Sequence, residues 1–261
     1  MSLLAQILAT KRREVAELRA VAAIEPSRVP IDVVGVLRRG KAAPLRLIAE
    51  VKLRSPSAGS LSRALRPGER AVAYAEAGAS MVSVLSDSAY FDGSWEHVEE
   101  ARLKLDRAGY RVPVLAKDYI VDERQIAEAC IRGADAVLLI ARIVDFAELK
   151  RLARSARALG MEPLVEVVDE HELERALSAE ARVIGVNARD LDTLAMDASR
   201  AARVRAAIPS DLVAVHLSGL REAGDVAEVA RGRADAALVG EALMREDDPR
   251  PRLRAMVQAA S

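Results

Sequence analysis

The sequence has almost no sulfur chemistry available to it. Its 261 residues include a single cysteine, Cys130. No intrachain disulfide can form, which fits a reducing cytoplasm. Cys130 lies in the Ala/Ile-rich stretch AEACIRG, where a buried, inert thiol is expected. Histidine is sparse too, with three residues. His97, His171 and His216 are scattered, with no second histidine at metal-ligand spacing, so no zinc site is expected. His97 and His171 are expected on exposed helix faces, and His216 near the end of a strand, either structural or bordering a site. No apolar run approaches the roughly 20 residues of a membrane span. The N-terminal MSLLAQILATKRREVAELRA lacks the apolar core of a signal peptide and reads as an amphipathic helix. Nor is there an excess of charge. With 39 basic and 39 acidic side chains, neither nucleic acid nor an anionic membrane is expected as the main partner.

What the sequence does contain is alternation. About half of its residues are apolar (51%), enough for a large core. Short apolar, β-branched runs fall near 46–51, 81–85, 112–116, 135–140, 162–167, 182–186, 212–216 and 235–239, each followed by a polar or glycine-containing loop and a charged, Ala/Leu-rich stretch. Continuous apolar strands alternating with helices imply a parallel sheet buried on both faces. Pro67 is placed to open a helix, Asp122 to cap one and Gly133 to stop it. The segments GASMVSVL, GADAVLLI and RADAALVG resemble one another, as repeated units would. Eight units form either a closed barrel or an open doubly wound sheet, and spacing does not separate the two. No G-x-G-x-x-G follows the first strand, which removes the dinucleotide-binding version of the open sheet. The preferred assignment is α/β: one (β/α)₈ TIM barrel over residues 45–261, with residues 1–44 as an N-terminal helical extension packing on it. The Arg/Lys-rich stretches KRREVAELR and ELKRLARSARAL are assigned to solvated outer faces.

In such a barrel, reactive groups gather at the C-terminal ends of the strands. Those positions hold Glu50 and Lys52, followed by Arg54, Ser55, Pro56 and Ser57, then Lys117-Asp118-Tyr119, Glu166, Asn187-Ala188-Arg189-Asp190, Ser218-Gly219 and Gly240-Glu241. Glu50 and Lys52 are two apart, so both point to one face. Their plainest reading is a buried ion pair. With Lys117 and Glu166 at equivalent heights, a mouth of two ammonium groups and two carboxylates that tune each other for acid/base work fits better. Gly219 and Gly240, each at a turn before a helical segment, are either ordinary βα turns or an anion cradle. Beside a cationic mouth, a phosphate site is favoured.

These residues, in this order, resemble the indole-3-glycerol phosphate synthase family. The likeness runs through ILATKRREVAEL, IAEVKLRSPSAG, VSVLSDSAYFDGS, VLAKDYIVDERQI, LVEVVDEHEL, IGVNARDLDTL, LSGL and LVGEALMRE. The resemblance implies a carbon–carbon lyase of tryptophan biosynthesis, acting on a phosphorylated small molecule without metal or organic cofactor. It implies Lys117 as the acid of ring closure and Lys52 with Glu50 in a later dehydration. Glu166 would be a base or the stabiliser of a cationic intermediate. Asn187, Ser55 and Arg189 would hold the anthranilate portion, and Phe91 would line an apolar wall. Ser218, Gly219, Gly240 and Glu241 would hold phosphate, with Lys52 nearby. Association with other enzymes of that pathway is compatible with the resemblance.

The chain departs from the family's usual pattern at Leu217, where Glu precedes Ser-Gly, and at Ala188, Tyr119 and Val168. Leu217 motivates an alternative, a paralogous phosphosugar-binding barrel with altered substrate or lost activity. A third reading, phosphoribosylanthranilate isomerase, calls for a cysteine where this chain has Glu50.

Overall fold

The computed structural model of the chain describes residues 2–18, 28–40, 42–56, 58–190, 193 and 195–261. Eight parallel strands close into a barrel: β1 (Arg46–Val51), β4 (Met81–Leu85), β5 (Val114–Lys117), β6 (Ala136–Ile140), β7 (Glu162–Val167), β8 (Val183–Val186), β9 (Val213–His216) and β10 (Ala236–Val239). They run round the barrel in chain order, and β10 pairs with β1. A two-stranded ribbon, β2 (Arg54–Ser55) with β3 (Gly59–Ser60), folds out of the loop after β1. The outer ring comprises α3 (Pro67–Glu76), α5 (Trp95–Arg107), α6 (Glu123–Ile131), α7 (Phe146–Ala158), α8 (Glu170–Ser178), α9 (Ala198–Ala206), α10 (Ala223–Ala230) and α12 (Arg250–Ala259). Two short helices, α4 (Ser88–Phe91) and α11 (Glu241–Met244), sit in loops at the mouth. Among the described residues, no helix is long and apolar enough to cross a membrane.

Local chemistry starts and stops these elements where the sequence places the signals. Pro67 opens α3 at its first turn. Asp122 caps α6, accepting from the Arg124 N–H at 2.9 Å. Gly133 follows α6 at φ 78°. Cys130 is buried, and burial pushes its thiol up.

The resemblance between GADAVLLI and RADAALVG has a structural counterpart. Asp135 and Asp235 sit at the starts of β6 and β10, and each carboxylate accepts from the N–H of the preceding strand, Val114 at 2.9 Å and Ala214 at 2.8 Å. Each also ties the N-terminal segment to the barrel's base. Asp135 accepts from the Ile31 N–H at 2.8 Å and Arg28 at 2.6 Å, and Asp235 from the Arg39 N–H at 3.1 Å. Between these ties, α2 (Val33–Leu37) buries Val33 and Leu37. The remaining N-terminal element, α1 (Leu3–Glu17), lies at the opposite end, with Leu3 and Ile7 facing the cavity at the barrel's mouth. The segment before β1 therefore touches both ends. Asp135→Ala should lower stability by about 3–5 kcal/mol in urea unfolding, because it leaves the Ile31 and Val114 N–H groups unsatisfied and removes the carboxylate that pairs with Arg28 and Arg102.

Two sequence expectations are overturned here. KRREVAELR is not simply a solvated face. Arg12 and Arg13 are exposed, but Lys11 is 2% exposed. It occupies the apolar stripe Leu4, Ile7, Lys11, Val15 that docks α1. His97, expected exposed, is half-buried, while His171 is exposed.

Candidate active site

The barrel's mouth opens on a cavity of about 1080 Å³. Alternate residues of the strands point into it, and the predicted polar ones converge there. Glu50, on the last turn of the β1 pleat, is 2% exposed. Its Oε1 lies 2.9 Å from Lys52 Nζ and its Oε2 3.9 Å from Lys117 Nζ, with Ser83 Oγ 3.5 Å away. Burial works against the charge of Glu50. The two ammonium groups outweigh that burial and hold its carboxyl below the usual range. One ionised carboxylate is therefore shared by two lysines.

Gly240 makes this arrangement sterically feasible. A Cβ at that position would stand 2.7 Å from Glu50 Oε1, so the glycine is needed for the carboxylate as much as for any anion. Glu241, grouped with the phosphate residues on sequence grounds, has its carboxylate paired with Arg245 at 2.7 Å. What position 241 can offer an anion is its backbone N–H in the first turn of α11.

Across the cavity, Glu166 is 2% exposed and accepts a hydrogen bond from Asn187 Nδ2 at 2.9 Å. Its environment differs from that of Glu50. Burial dominates and pushes its carboxyl above the usual range, although Lys117 and Asn187 oppose the shift. Two carboxylates facing one lysine are thus driven apart in acidity, the pattern that separates a permanent counter-ion from a proton-transfer group.

Asn187 Oδ1 in turn accepts from the Arg189 N–H at 2.9 Å, and Ser218 Oγ accepts from the Ala188 N–H at 3.1 Å. The Asn187–Arg189 turn is braced from outside. Arg142, just after β6, donates to Asp190 Oδ2 at 2.9 Å and to Glu172 Oε1 at 2.7 Å. Gly219 has φ 96°, a left-handed value that turns the chain sharply above β9.

The walls are apolar. The Phe91 and Tyr119 rings lie 6.3 Å apart at 34°, beside Ile7, Leu85, Leu138 and Ile140. Ser55 is buried in the β2–β3 ribbon, its Oγ accepting from the Ala58 N–H at 3.1 Å, and lines the same cavity. Leu217 also faces inward. It roofs Gly185, where a Cβ would approach Leu217 Cδ1 to 2.5 Å, so this departure from the family pattern substitutes packing for a charge. Ala188 works through its backbone: besides the bond to Ser218, its carbonyl accepts from the Asp197 N–H at 2.8 Å. His216 lines the outer edge of the cavity, with Nδ1 3.0 Å from Arg205 Nη1. Burial, then the Arg205 charge, push it down to about 4, so the ring is neutral. Ser57, Leu191, Asp192 and Leu194 of the sequence motifs lie outside the described residues.

All the predicted site residues therefore meet in or beside one cavity. Missed were Lys11 and Asp87, which with Asp118, named only as a strand-end residue, form a buried cluster behind Lys117, and the brace Arg142. The spacing of Lys11 with Leu4, Ile7 and Val15 on one helical stripe is the signal that could have found the first.

The chain's likeness to known proteins is consistent along its length. A sequence profile described as Indole-3-glycerol phosphate synthase matches residues 4–256. The indole-3-glycerol phosphate synthase of Mycobacterium ulcerans (strain Agy99) is 41% identical over 245 residues, 94% of this chain and 86% of that protein. That of Arthrobacter sp. (strain FB24) is 44% identical over 217 residues, 83% of this chain and 78% of that one. Among solved structures, a 3-hexulose-6-phosphate synthase has a TM-score of 0.64 at 16% identity, covering 83% of this chain and 100% of its own. A thiamine phosphate pyrophosphorylase from Pyrococcus furiosus has a TM-score of 0.63 at 16% identity, covering 83% and 95%. At such identity these two structures speak for the fold alone.

Proposed function

The chain belongs to the indole-3-glycerol phosphate synthase family, and on that premise we propose how its residues divide the work of a carboxy-lyase of tryptophan biosynthesis. The substrate, 1-(2-carboxyphenylamino)-1-deoxyribulose 5-phosphate, closes a ring, then loses carbon dioxide and water to give indole-3-glycerol phosphate. The observation that carries the division is the position of Glu50 between Lys52 and Lys117, with Glu166 opposite.

Ring closure forms a bond from the carboxylate-bearing aromatic carbon to the ketone carbon. The carbonyl electron pair becomes a hydroxyl, and Lys117 supplies its proton. The bond to the carboxylate then breaks, and its pair restores the aromatic ring as carbon dioxide leaves. Lys52, held by Glu50, protonates the hydroxyl so that it departs as water. Glu166 offsets the positive charge that develops on the nitrogen and takes the last proton from the new ring. Asn187, Ser55 and Arg189 position the anthranilate portion, with its ring against Phe91 and Tyr119. The turns at Ser218-Gly219 and Gly240-Glu241 hold the phosphate through backbone N–H groups and the Ser218 hydroxyl, with Lys52 nearby. We place the enzyme in the cytoplasm, in keeping with its single buried thiol.

The experiment is turnover of this substrate, followed by indole fluorescence over a range of pH. Glu166 acts as a base only when ionised, and its carboxyl is raised. The acid limb of kcat/KM should therefore lie above the ordinary carboxylate value of about 4.3. Glu166→Gln should lower kcat about 100-fold and remove that limb. Full activity in this variant would take Glu166 off the proton path.

A further inference from the structure

We propose that Lys11, on α1 and outside the barrel sequence, is a positioning residue for Lys117, acting through Asp118. The proposal rests on the reading of Lys117 as the proton donor. Lys11 Nζ lies 2.9 Å from Asp118 Oδ1, 2.8 Å from Asp87 Oδ2 and 2.8 Å from Glu14 Oε2. Lys11, Asp87 and Asp118 are all 3% exposed or less, and Glu14 closes the cluster from the same helix.

Each of the two aspartates in the cluster has a second attachment that matters for the site. Asp118 follows Lys117 directly, and it also accepts from the Tyr119 N–H at 2.7 Å and from Ser86 Oγ at 3.2 Å. Asp87 caps α4 by accepting from the Tyr90 N–H at 2.7 Å, and α4 ends in Phe91. One ammonium group therefore joins the end of β5, which carries Lys117 and Tyr119, to the loop that carries Phe91. The proton donor and both rings of the aromatic wall are mounted on what Lys11 holds together.

The charges are arranged to make this a fixed joint. Burial works against the charge on Lys11, but Asp118 and Asp87 outweigh it and raise its pKa. Without that cation, Asp87 and Asp118 would be two buried carboxylates facing each other, and the joint would have to open or take up a proton. Lys117 sits 3.9 Å from Glu50, so little movement is needed to spoil its aim. A misplacement of about 1 Å in a reacting group can cost on the order of 100-fold in rate.

A purely structural role, docking α1, would show as lost stability with kcat intact. The test compares Lys11→Met with Val15→Ala, which trims the same buried stripe without touching a charge. Each is assayed for kcat and KM well below its melting transition, and its melting temperature is measured in a separate scan. Lys11→Met should lose about 10- to 100-fold in kcat with a smaller change in KM, and Lys11→Arg should recover part of that loss. Val15→Ala should melt earlier with kcat unchanged. Wild-type kcat in Lys11→Met, or equal kcat loss in both at equal loss of melting temperature, overturns the proposal. If Lys11→Met does not fold, Asp118→Asn removes the charge from the Lys11–Asp118 pair while Lys11 keeps Asp87 and Glu14, and wild-type kcat there overturns the proposal equally. Lys117→Ala is run alongside. If it retains full activity the donor assignment itself has failed; if it is dead while Lys11→Met is fully active, only the positioning role has.

Discussion

Lys117→Ala should lower kcat/KM by about 10⁴-fold, the upper end of what a positioned general acid supplies. The loss should fall on kcat, because the ammonium is needed most when negative charge builds on the carbonyl oxygen, and only interactions stronger in the transition state than in the ground state accelerate chemistry. The side chain projects into the cavity and is 23% exposed, so its removal should leave the melting temperature nearly unchanged. Truncation to Ala also leaves a space the size of an alkylammonium ion beside Glu50. Added ethylammonium should restore part of the fluorescence signal. Turnover near the wild-type rate would end the donor assignment.

Glu50→Gln should be nearly as damaging, at about 10³-fold in kcat, for a different reason. In the division of work proposed above, Glu50 transfers no proton in ring closure. It fixes Lys52 at 2.9 Å and attracts Lys117 at 3.9 Å, and a neutral amide holds neither by charge. The variant should also differ in its acid stability. The carboxyl of Glu50 is lower in the folded protein than in the unfolded chain. It therefore stabilises the fold fully above the unfolded value of about 4.3, and that contribution is lost as pH falls through the lowered folded value. Melting curves should show wild type losing more stability than Glu50→Gln below about pH 4.3. Parallel acid curves would place the ion pair's value in catalysis alone.

Much of this was legible from sequence because the relevant signals are local. Eight apolar runs mark eight strands, and the residues two apart in Glu50-Val51-Lys52 do share a face. Boundaries slipped where backbone chemistry intervened. The apolar run of barrel strand three starts at Val112, yet β5 begins at Val114, just after Pro113, which has no N–H to give a ladder. The β2–β3 ribbon is two residues long on each side, too short for any periodicity to register. The role of Lys11 was hidden for another reason. Its partners, Asp87 and Asp118, lie far along the chain, and only closure of the barrel brings them under α1. Glu50 and Glu166 look alike as letters. What separates them is the number of ammonium groups within reach, a property of the assembled mouth.

The N-terminal segment touches both ends of the barrel, and this orders events in time as well as in space. During synthesis Lys11 emerges long before Asp118, and Arg39 waits for Asp235, 196 positions later. Leu45 donates its N–H to the carbonyl of Ala260, at the far end of the described chain. Contacts of such separation close late, because a long loop must be ordered before they repay it. Residues made before the barrel are therefore among the last to find their partners. A ribosome-bound chain lacking the final strand holds Lys117 and Glu50 but lacks the β10 edge, with Gly240, against which Glu50 is seated. On the proposed roles of Lys117 and Glu50, catalytic competence should arrive only with completion of the ring.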